Sequence, residues 1–157
     1  MKLIQKDLAD LDQKILLLRL DLNVPIKNEK IQDFNRIDKT LPTIKFLLKR
    51  KAKIILISHV GRPMGKKDSK FSLKPISKSL STKLSEDVRL INENIFEIKK
   101  NDIFKKNEKI VMLENIRFYK EEEQNDLVFS KKLASLGDLY VNEAFSCSHR
   151  NHASVSQ

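Results

Sequence analysis

Short, unbroken apolar runs alternate along this chain with longer stretches in which apolar residues return every three or four positions. Ile15-Leu16-Leu17-Leu18, Lys53 to Ile57, Val88 to Ile91, Ile110-Val111-Met112-Leu113 and Leu139-Tyr140-Val141 form the first set. Their brevity and branched side chains predict strands buried on both faces, as in a parallel sheet. In the second set, Ile37, Leu41, Ile44 and Leu48 fall on one face of a helix. Arg36 stands at its start, Asn35 is its predicted cap, and Pro42 lies near its first turn. Leu73, Ile76, Leu80 and Leu84 predict another helix, capped by Ser72 with Pro75 in its first turn. A third begins at about Asp126, turns Phe129, Leu133 and Leu136 inward, and stops at Gly137. Pro25 ends the first strand and opens a polar loop to Asn35, and the polar stretch from Met64 to Lys70 reads as mobile. Residues 92–108 read as loop or as a short helix around Ile95 and Ile98. Glu121-Glu122-Glu123 reads as a solvated loop whose charge favours the start of the helix that follows. The alternation of strand and helix predicts an α/β fold, a single domain with a parallel sheet and helices on both faces, in three layers. No internal repeat and no interdomain linker interrupts it.

The polar residues just after the strands carry the candidate chemistry. Arg19, Asp21 and Asn23 follow the first strand, and Arg36 starts the helix after it. Ser58-His59-Val60-Gly61-Arg62-Pro63 follows the second, where Gly61 and Pro63 exclude helix and set a tight loop around Arg62. Arg117 follows the Ile110–Leu113 run, and Arg150 lies beyond the last strand. In a parallel sheet these loops all leave from one edge, which is where open α/β sheets bind ligands. Arginines gathered there repel one another unless an anion separates them, and the guanidinium fork matches carboxylate and phosphate. A small, multiply charged phosphate or carboxylate meets that need. Each residue alone also has a plainer reading: a surface ion pair or solvated charge for an arginine, a satisfied loop histidine for His59, an Asx turn before Pro25 for Asp21 and Asn23.

Composition narrows the partners. The net charge is +10, from 31 basic and 21 acidic residues, which favours acidic partners or, more plainly, a lysine-rich solvated face. Nucleic acid is disfavoured as a partner, because aromatics make up only 6% of the chain, Trp is absent, and no RNP or helix-turn-helix signature is legible. No apolar run approaches the ~18 residues that a bilayer span requires, and Met1 to Asp7 lacks the apolar core of a signal peptide, so no membrane partner is expected. The single Cys147 cannot form an internal disulfide; it reads as an inert thiol and fits a reducing cytoplasm. One Cys and three scattered His residues cannot close a zinc site, and His149 and His152 lack partners for metal or base chemistry, so no metal site is expected. There is no G-x-x-x-x-G-K-[ST] loop, no G-x-G-x-x-G and no nucleophile elbow. A nucleotide handled by this chain would not be cradled by either glycine-rich motif.

Six segments, taken in order from about Arg19 to Ala153, resemble the N-terminal domain of phosphoglycerate kinase. Arg19-Leu20-Asp21-Leu22-Asn23-Val24-Pro25 resembles the family's R-x-D-F-N-V-P; Asn35-Arg36-Ile37 and Leu41-Pro42-Thr43-Ile44 resemble its R-I and L-P-T-I. Ser58 to Pro63 resembles S-H-L-G-R-P, and Leu113-Glu114-Asn115-Ile116-Arg117-Phe118 resembles L-E-N-L-R-F. Tyr140 to Phe145 resembles Y-V-N-D-A-F, and His149-Arg150-Asn151-His152-Ala153-Ser154 resembles H-R-A-H-A-S. Leu22, Val60 and Glu143 depart from the usual Phe, Leu or Phe, and Asp.

The resemblance implies a Rossmann-like fold and reversible phosphoryl transfer between 1,3-bisphosphoglycerate and ADP in glycolysis, with 3-phosphoglycerate or 1,3-bisphosphoglycerate as small-molecule partner. It implies that Asp21 and Asn23 orient the glycerate, that Arg36, His59, Arg62, Arg117 and Arg150 form the basic cluster on its carboxylate and phosphate, that Leu22, Val60 and Gly61 also bind substrate, and that Arg36 in addition stabilises the transferring phosphoryl group. It implies ATP/ADP with Mg2+ as cofactor, held by a C-terminal domain whose glycine-rich segment and hinge have no counterpart in these 157 residues. The expectation is therefore a cytoplasmic, monomeric substrate half spanning 1–157, cut before the hinge and inactive alone. A non-catalytic phosphoglycerate- or phosphosugar-binding module uses the same residues.

Overall fold

Five of the apolar runs pair as a parallel sheet, in the computed structural model, which describes residues 11–144 and 151–156. The strands are β1 (Ile15–Arg19), β4 (Lys53–Ile57), β5 (Val88–Ile91), β6 (Ile110–Leu113) and β7 (Leu139–Asn142), in the spatial order β5-β6-β4-β1-β7. Register runs Ile15 to Arg19 against Lys53 to Ile57 on one side of β1, and Leu16 to Arg19 against Leu139 to Asn142 on the other. Neighbouring residues of a strand face opposite sides, so one apolar run feeds two cores. Leu16, Leu18, Ile54, Leu56, Ile110 and Met112 point to one face; Leu17, Ile55, Ile57, Val111 and Leu113 point to the other. Helices α1 (Asn35–Lys49) and α2 (Lys74–Leu84) cover the first face with Ile37, Ile44, Ile76 and Leu80, and α4 (Leu127–Ala134) covers the second with Phe129 and Leu133. Each such side chain, fully buried, contributes about 1.5–3 kcal/mol. The expected α/β sandwich with helices on both faces is what forms.

Local chemistry departs from the pattern in several places. The loop after Pro25 contains a small antiparallel hairpin, β2 (Ile26–Lys27) with β3 (Lys30–Ile31), turned by Asn28 and Glu29 at φ of 49° and 59°. Asn35 is not the cap of α1 but its first helical residue; its N–H is held by Asp33 Oδ1 at 2.9 Å. Pro42 lies inside α1, past the first turn, where the missing N–H removes one rung of the helix ladder. Ser72 is not the cap of α2: Leu73 holds that position without a capping side chain, and Ser72, one residue earlier, accepts from Lys74 N–H at 3.2 Å. The stretch before it is tied down, with Gly65 N–H on the Arg117 carbonyl and Asp68 capping a short turn at Ser69–Phe71. Residues 92–108 contain only a single 3₁₀ turn, Lys100–Asp102, and Ile95 and Ile103 plug the second core from loop backbone. Gly137 does not end α4 in a left-handed cap; it sits where a Cβ would come within 2.8 Å of Leu17 Cγ, so close approach to β1 is its reason. Glu121-Glu122-Glu123 is not a solvated loop: it forms the short helix α3 (Lys120–Glu123), and Glu122 is fully buried. The last described element is α5 (Ala153–Ser156).

Candidate functional site

All five parallel strands end at one edge, and the loops leaving β1, β4 and β6 there are hydrogen-bonded into one surface. Leu20 is buried, and its carbonyl accepts from Ser58 Oγ at 2.9 Å; the same hydroxyl oxygen accepts from Leu22 N–H at 3.2 Å. One serine therefore locks the loop after β1 to the loop after β4. Leu22 and Val60 bury their side chains in the core, so any contact they make with a ligand comes from backbone.

Asp21, Asn23, Arg36 and Gly61 meet on the outer side of this lock. Asp21 Oδ2 forms an ion pair with Arg36 Nη1, and Asp21 Oδ1 accepts from Asn23 N–H at 3.3 Å, the Asx turn that the spacing before Pro25 allows. Asn23 Oδ1 in turn accepts from Gly61 N–H at 2.9 Å. Gly61 has φ of +64°, and a Cβ there would lie 2.4 Å from the Phe71 ring, so only glycine fits both the turn and the contact. A groove of about 430 Å³ opens beside these residues, lined by Asn23, Pro25, Val60, Gly61, Lys70 and Phe71. Arg62 is exposed and forms no hydrogen bond or ion pair among the described residues, and Arg36 keeps about half of its side chain exposed. These two arginines are presented to solvent at this edge, with Lys70 beside them in the groove.

The other predicted cations sit deeper. Arg117 is buried; its Nη1 donates to the Gly61 carbonyl at 3.0 Å and its Nε lies 3.7 Å from Glu123. Both backbone polar groups of Gly61 are thus held, one by Asn23 and one by Arg117. Arg19, grouped with the cleft arginines by its position after the strand, does not reach the cleft. It is the last residue of β1, 1% exposed, and bonds Ser154 Oγ, the Leu20 carbonyl and His59 Nδ1. A guanidinium can only donate, so His59 Nδ1 accepts and the imidazole carries its proton on Nε2. His59 is itself 2% exposed and meets Arg19 through Nδ1. Arg150 lies outside the described residues, as do Cys147 and His149.

Asn115 and Glu114 were assigned no role from sequence, yet they organise this edge. Asn115 is fully buried; its Nδ2 donates to the Val60 and Phe71 carbonyls at 2.8 and 2.9 Å, and its Oδ1 accepts from Arg117 N–H at 3.1 Å. Glu114 accepts from Ser72 Oγ and Leu73 N–H, both at 2.7 Å, which fixes the start of α2 to the end of β6. Glu143, the departure after β7, accepts from Thr43 Oγ1 of α1 at 2.6 Å. Burial pushes the Glu143 carboxyl above the usual range and the Thr43 bond pulls it partly back. The signal for these residues is their position immediately after a strand, but polar side chains there look alike whether they face ligand or neighbouring loop.

A family model described as phosphoglycerate kinase matches residues 6–157. The chain belongs to the phosphoglycerate kinase family. It is 51% identical over 152 residues to phosphoglycerate kinase of Wolbachia sp. subsp. Brugia malayi (strain TRS), covering 95% of this chain and 37% of that protein. It is 49% identical over 151 residues to phosphoglycerate kinase of Borrelia garinii subsp. bavariensis, covering 96% of this chain and 38% of that protein. The fold superimposes on phosphoglycerate kinase from Coxiella burnetii with a TM-score of 0.84 at 39% identity, over 93% of this chain and 36% of that one. On the enzyme from Pyrococcus horikoshii OT3 the TM-score is 0.80 at 31% identity, over 95% of this chain and 38% of that one. The chain thus spans somewhat over a third of the length of the phosphoglycerate kinases it matches.

Proposed function

We propose that this chain holds the phosphoglycerate end of the phosphoglycerate kinase reaction, reversible phosphoryl transfer between 1,3-bisphosphoglycerate and ADP giving 3-phosphoglycerate and ATP. The observation that carries the reading is the convergence of Asp21, Asn23, Arg36, Gly61 and Arg62 on one edge of the sheet, with Arg36 and Arg62 exposed to solvent. Two forked cations beside polar acceptors suit a molecule with a carboxylate at one end and a phosphate at the other. Asp21 and Asn23 would accept from its hydroxyl, with Val60 in the groove wall and Leu22 buried behind it. Arg62 and Arg150 would take the anionic groups, Arg117 would hold the Gly61 turn against them, and His59 would add a neutral N–H. Arg36 would stabilise charge on the transferring phosphoryl group, since such transfer depends on positioning and preorganised positive charge more than on covalent chemistry.

The family's nucleotide, ATP/ADP with Mg2+, does not fit the residues described. No cluster of three His, Cys, Asp or Glu side chains among them is placed to hold a metal ion. Gly61, whose N–H and C=O are both engaged, offers no nucleotide-phosphate cradle. The chain alone is therefore proposed to bind phosphoglycerate without turning it over. A phosphoglycerate-binding module without catalysis is the second reading, favoured by the same missing cradle; turnover by the gene product would exclude it. No helix among the described residues is long and apolar enough to cross a membrane. A monomer working in the cytoplasm, with a small-molecule partner and no nucleic acid, is proposed on the strength of the glycolytic family and the single cysteine.

An amide ¹H–¹⁵N titration with 3-phosphoglycerate tests the location. Shifts are expected at Asn23, Gly61 and Arg62, and at the Arg36 side chain. Shifts confined to Lys74 and Lys78, which line the neighbouring groove at the start of α2, would move the anion site off the strand edge and contradict the proposal.

A further inference from the structure

Behind the anion-binding edge lies a buried polar chain that the substrate reading does not use. Glu122 is 0% exposed, and both of its oxygens accept from Ser154: Oε1 from the hydroxyl at 2.6 Å, Oε2 from the backbone N–H at 2.9 Å. Ser154 Oγ also accepts from Arg19 Nε at 3.1 Å, and Arg19 Nη2 reaches His59 Nδ1 at 3.0 Å. Arg19 cannot accept, so the serine hydroxyl must accept from it and pass its own hydrogen to Glu122. The Glu122 carboxyl faces the buried Arg19 guanidinium across that one hydroxyl. Two further side chains reach this assembly. Tyr140 OH donates to the Ser154 carbonyl, and His152 Nδ1 lies 3.9 Å from Glu122 Oε1. Burial pushes the Glu122 carboxyl above the usual carboxylate range, and the Ser154 bonds with the Arg19 and Arg117 charges pull it only partly back.

We propose that Glu122 is a positioning residue of the site: through Ser154 and Arg19 it fixes the proton of His59 on Nε2, so that His59 meets the substrate anion as a neutral donor. The reasoning is electrostatic. A buried Arg19 cation with no counter-charge would be costly, and it would be drawn toward whichever acceptor or anion is nearest, including one in the site. Glu122 supplies the counter-charge on the side away from the ligand. It holds the guanidinium at the back of His59, where it can only donate to Nδ1. Two residues that look alike in sequence, Arg19 and Arg62, thereby divide the work. One sets a tautomer from behind, and the other stays in front to meet the anion. This inference rests on the phosphoglycerate reading for the identity of the anion, but the state of His59 itself is independent of it.

The test is the long-range ¹H–¹⁵N spectrum of the imidazoles in the full chain, with the His59 signal assigned by its loss in His59→Gln. The expected wild-type pattern is a single Nε2–H tautomer. In Glu122→Gln, which keeps the shape and removes the charge, that pattern is expected to give way to mixed tautomers or a protonated ring, with a Kd for 3-phosphoglycerate raised about tenfold. Glu122→Asp keeps the charge and is expected to keep the wild-type tautomer. If Glu122→Gln does not fold, Ser154→Ala removes only the bridging hydroxyl and is expected to disturb the same signal. A lower unfolding midpoint with an unchanged His59 pattern would mean that Glu122 merely anchors α5, and would overturn the inference. An Nδ1–H tautomer in the wild type would overturn it as well. A wild-type chain that shows the Nε2–H pattern but binds no 3-phosphoglycerate would instead overturn the substrate reading, so the two failures are distinguishable.

Discussion

Alanine at position 36 is expected to weaken 3-phosphoglycerate binding by about ten- to a hundredfold while leaving the unfolding midpoint where it is. A charge-assisted hydrogen bond contributes about 1.5–3 kcal/mol, and each 1.4 kcal/mol is tenfold in affinity. The fold is indifferent to the change because the Arg36 side chain is about half exposed and its one ion pair is with Asp21. Asp21 keeps its bond to Asn23 N–H, so the turn survives. Arg36→Lys keeps the charge and loses the fork, and should fall between wild type and alanine. In any assembly that turns over, the alanine variant should lose about 10³-fold in rate, as when a cation facing a transferring phosphoryl group is removed. Wild-type affinity in Arg36→Ala, measured by calorimetry beside a folded control, would remove Arg36 from the site.

Asn115→Ala carries the largest expected loss of stability, about 3 kcal/mol in urea unfolding. Its side chain is fully buried and satisfies three backbone groups that belong to three different segments, at Val60, Phe71 and Arg117. Alanine leaves two carbonyls and one N–H buried without it, and each unsatisfied buried group costs about 1–3 kcal/mol before relaxation. The damage is aimed at the site. Val60 leads directly into Gly61, and the Phe71 ring packs where a Gly61 side chain would be. Binding of 3-phosphoglycerate should therefore weaken even under conditions where the variant remains folded. A loss of less than about 1 kcal/mol would show that the loops after β4 and β6 are joined by other contacts.

The contrast between these two residues also marks what could be read from the sequence. The strands were legible because a buried parallel strand must be apolar on both faces, and Leu16, Leu17 and Leu18 announce that without any help from context. The first two helices and the arginine-bearing edge followed from periodicity and from the direction that parallel strands impose. Depth was not legible. Arg19 and Arg62 both follow a strand, but Arg19 still occupies the last rung of β1 and pairs with Asn142, so its side chain runs into the fold. Glu122 reads as one of three solvated acids because its partner Ser154 lies 32 residues away. The hairpin of Ile26–Lys27 and Lys30–Ile31 was missed for a different reason. Its two-residue strands are too short for alternation, and its turn uses Asn28-Glu29 without the glycine that signals such turns. Gly137 gave a true signal with a false meaning, since packing against Leu17 and a helix stop both call for the same residue.

The residues missed from sequence are those that hold functional groups in place without offering themselves to a ligand. Ser58, Asn115 and Glu114 fasten the loops together, while Arg19 bonds His59 and Glu122 bonds Ser154 within the fold. In each case the partner is a backbone group or a side chain distant in sequence. The chemistry is therefore carried by tertiary placement, which a motif of adjacent residues does not encode.

The central claim is that the strand-end edge of this chain binds phosphoglycerate by itself. The most direct test is a calorimetric titration of the wild-type chain with 3-phosphoglycerate at low salt, repeated at high salt. Saturable binding at a single site, weakened as salt screens Arg36 and Arg62, is the predicted result. A chain that is folded by its unfolding curve and gives no saturable heat at low salt would contradict the account.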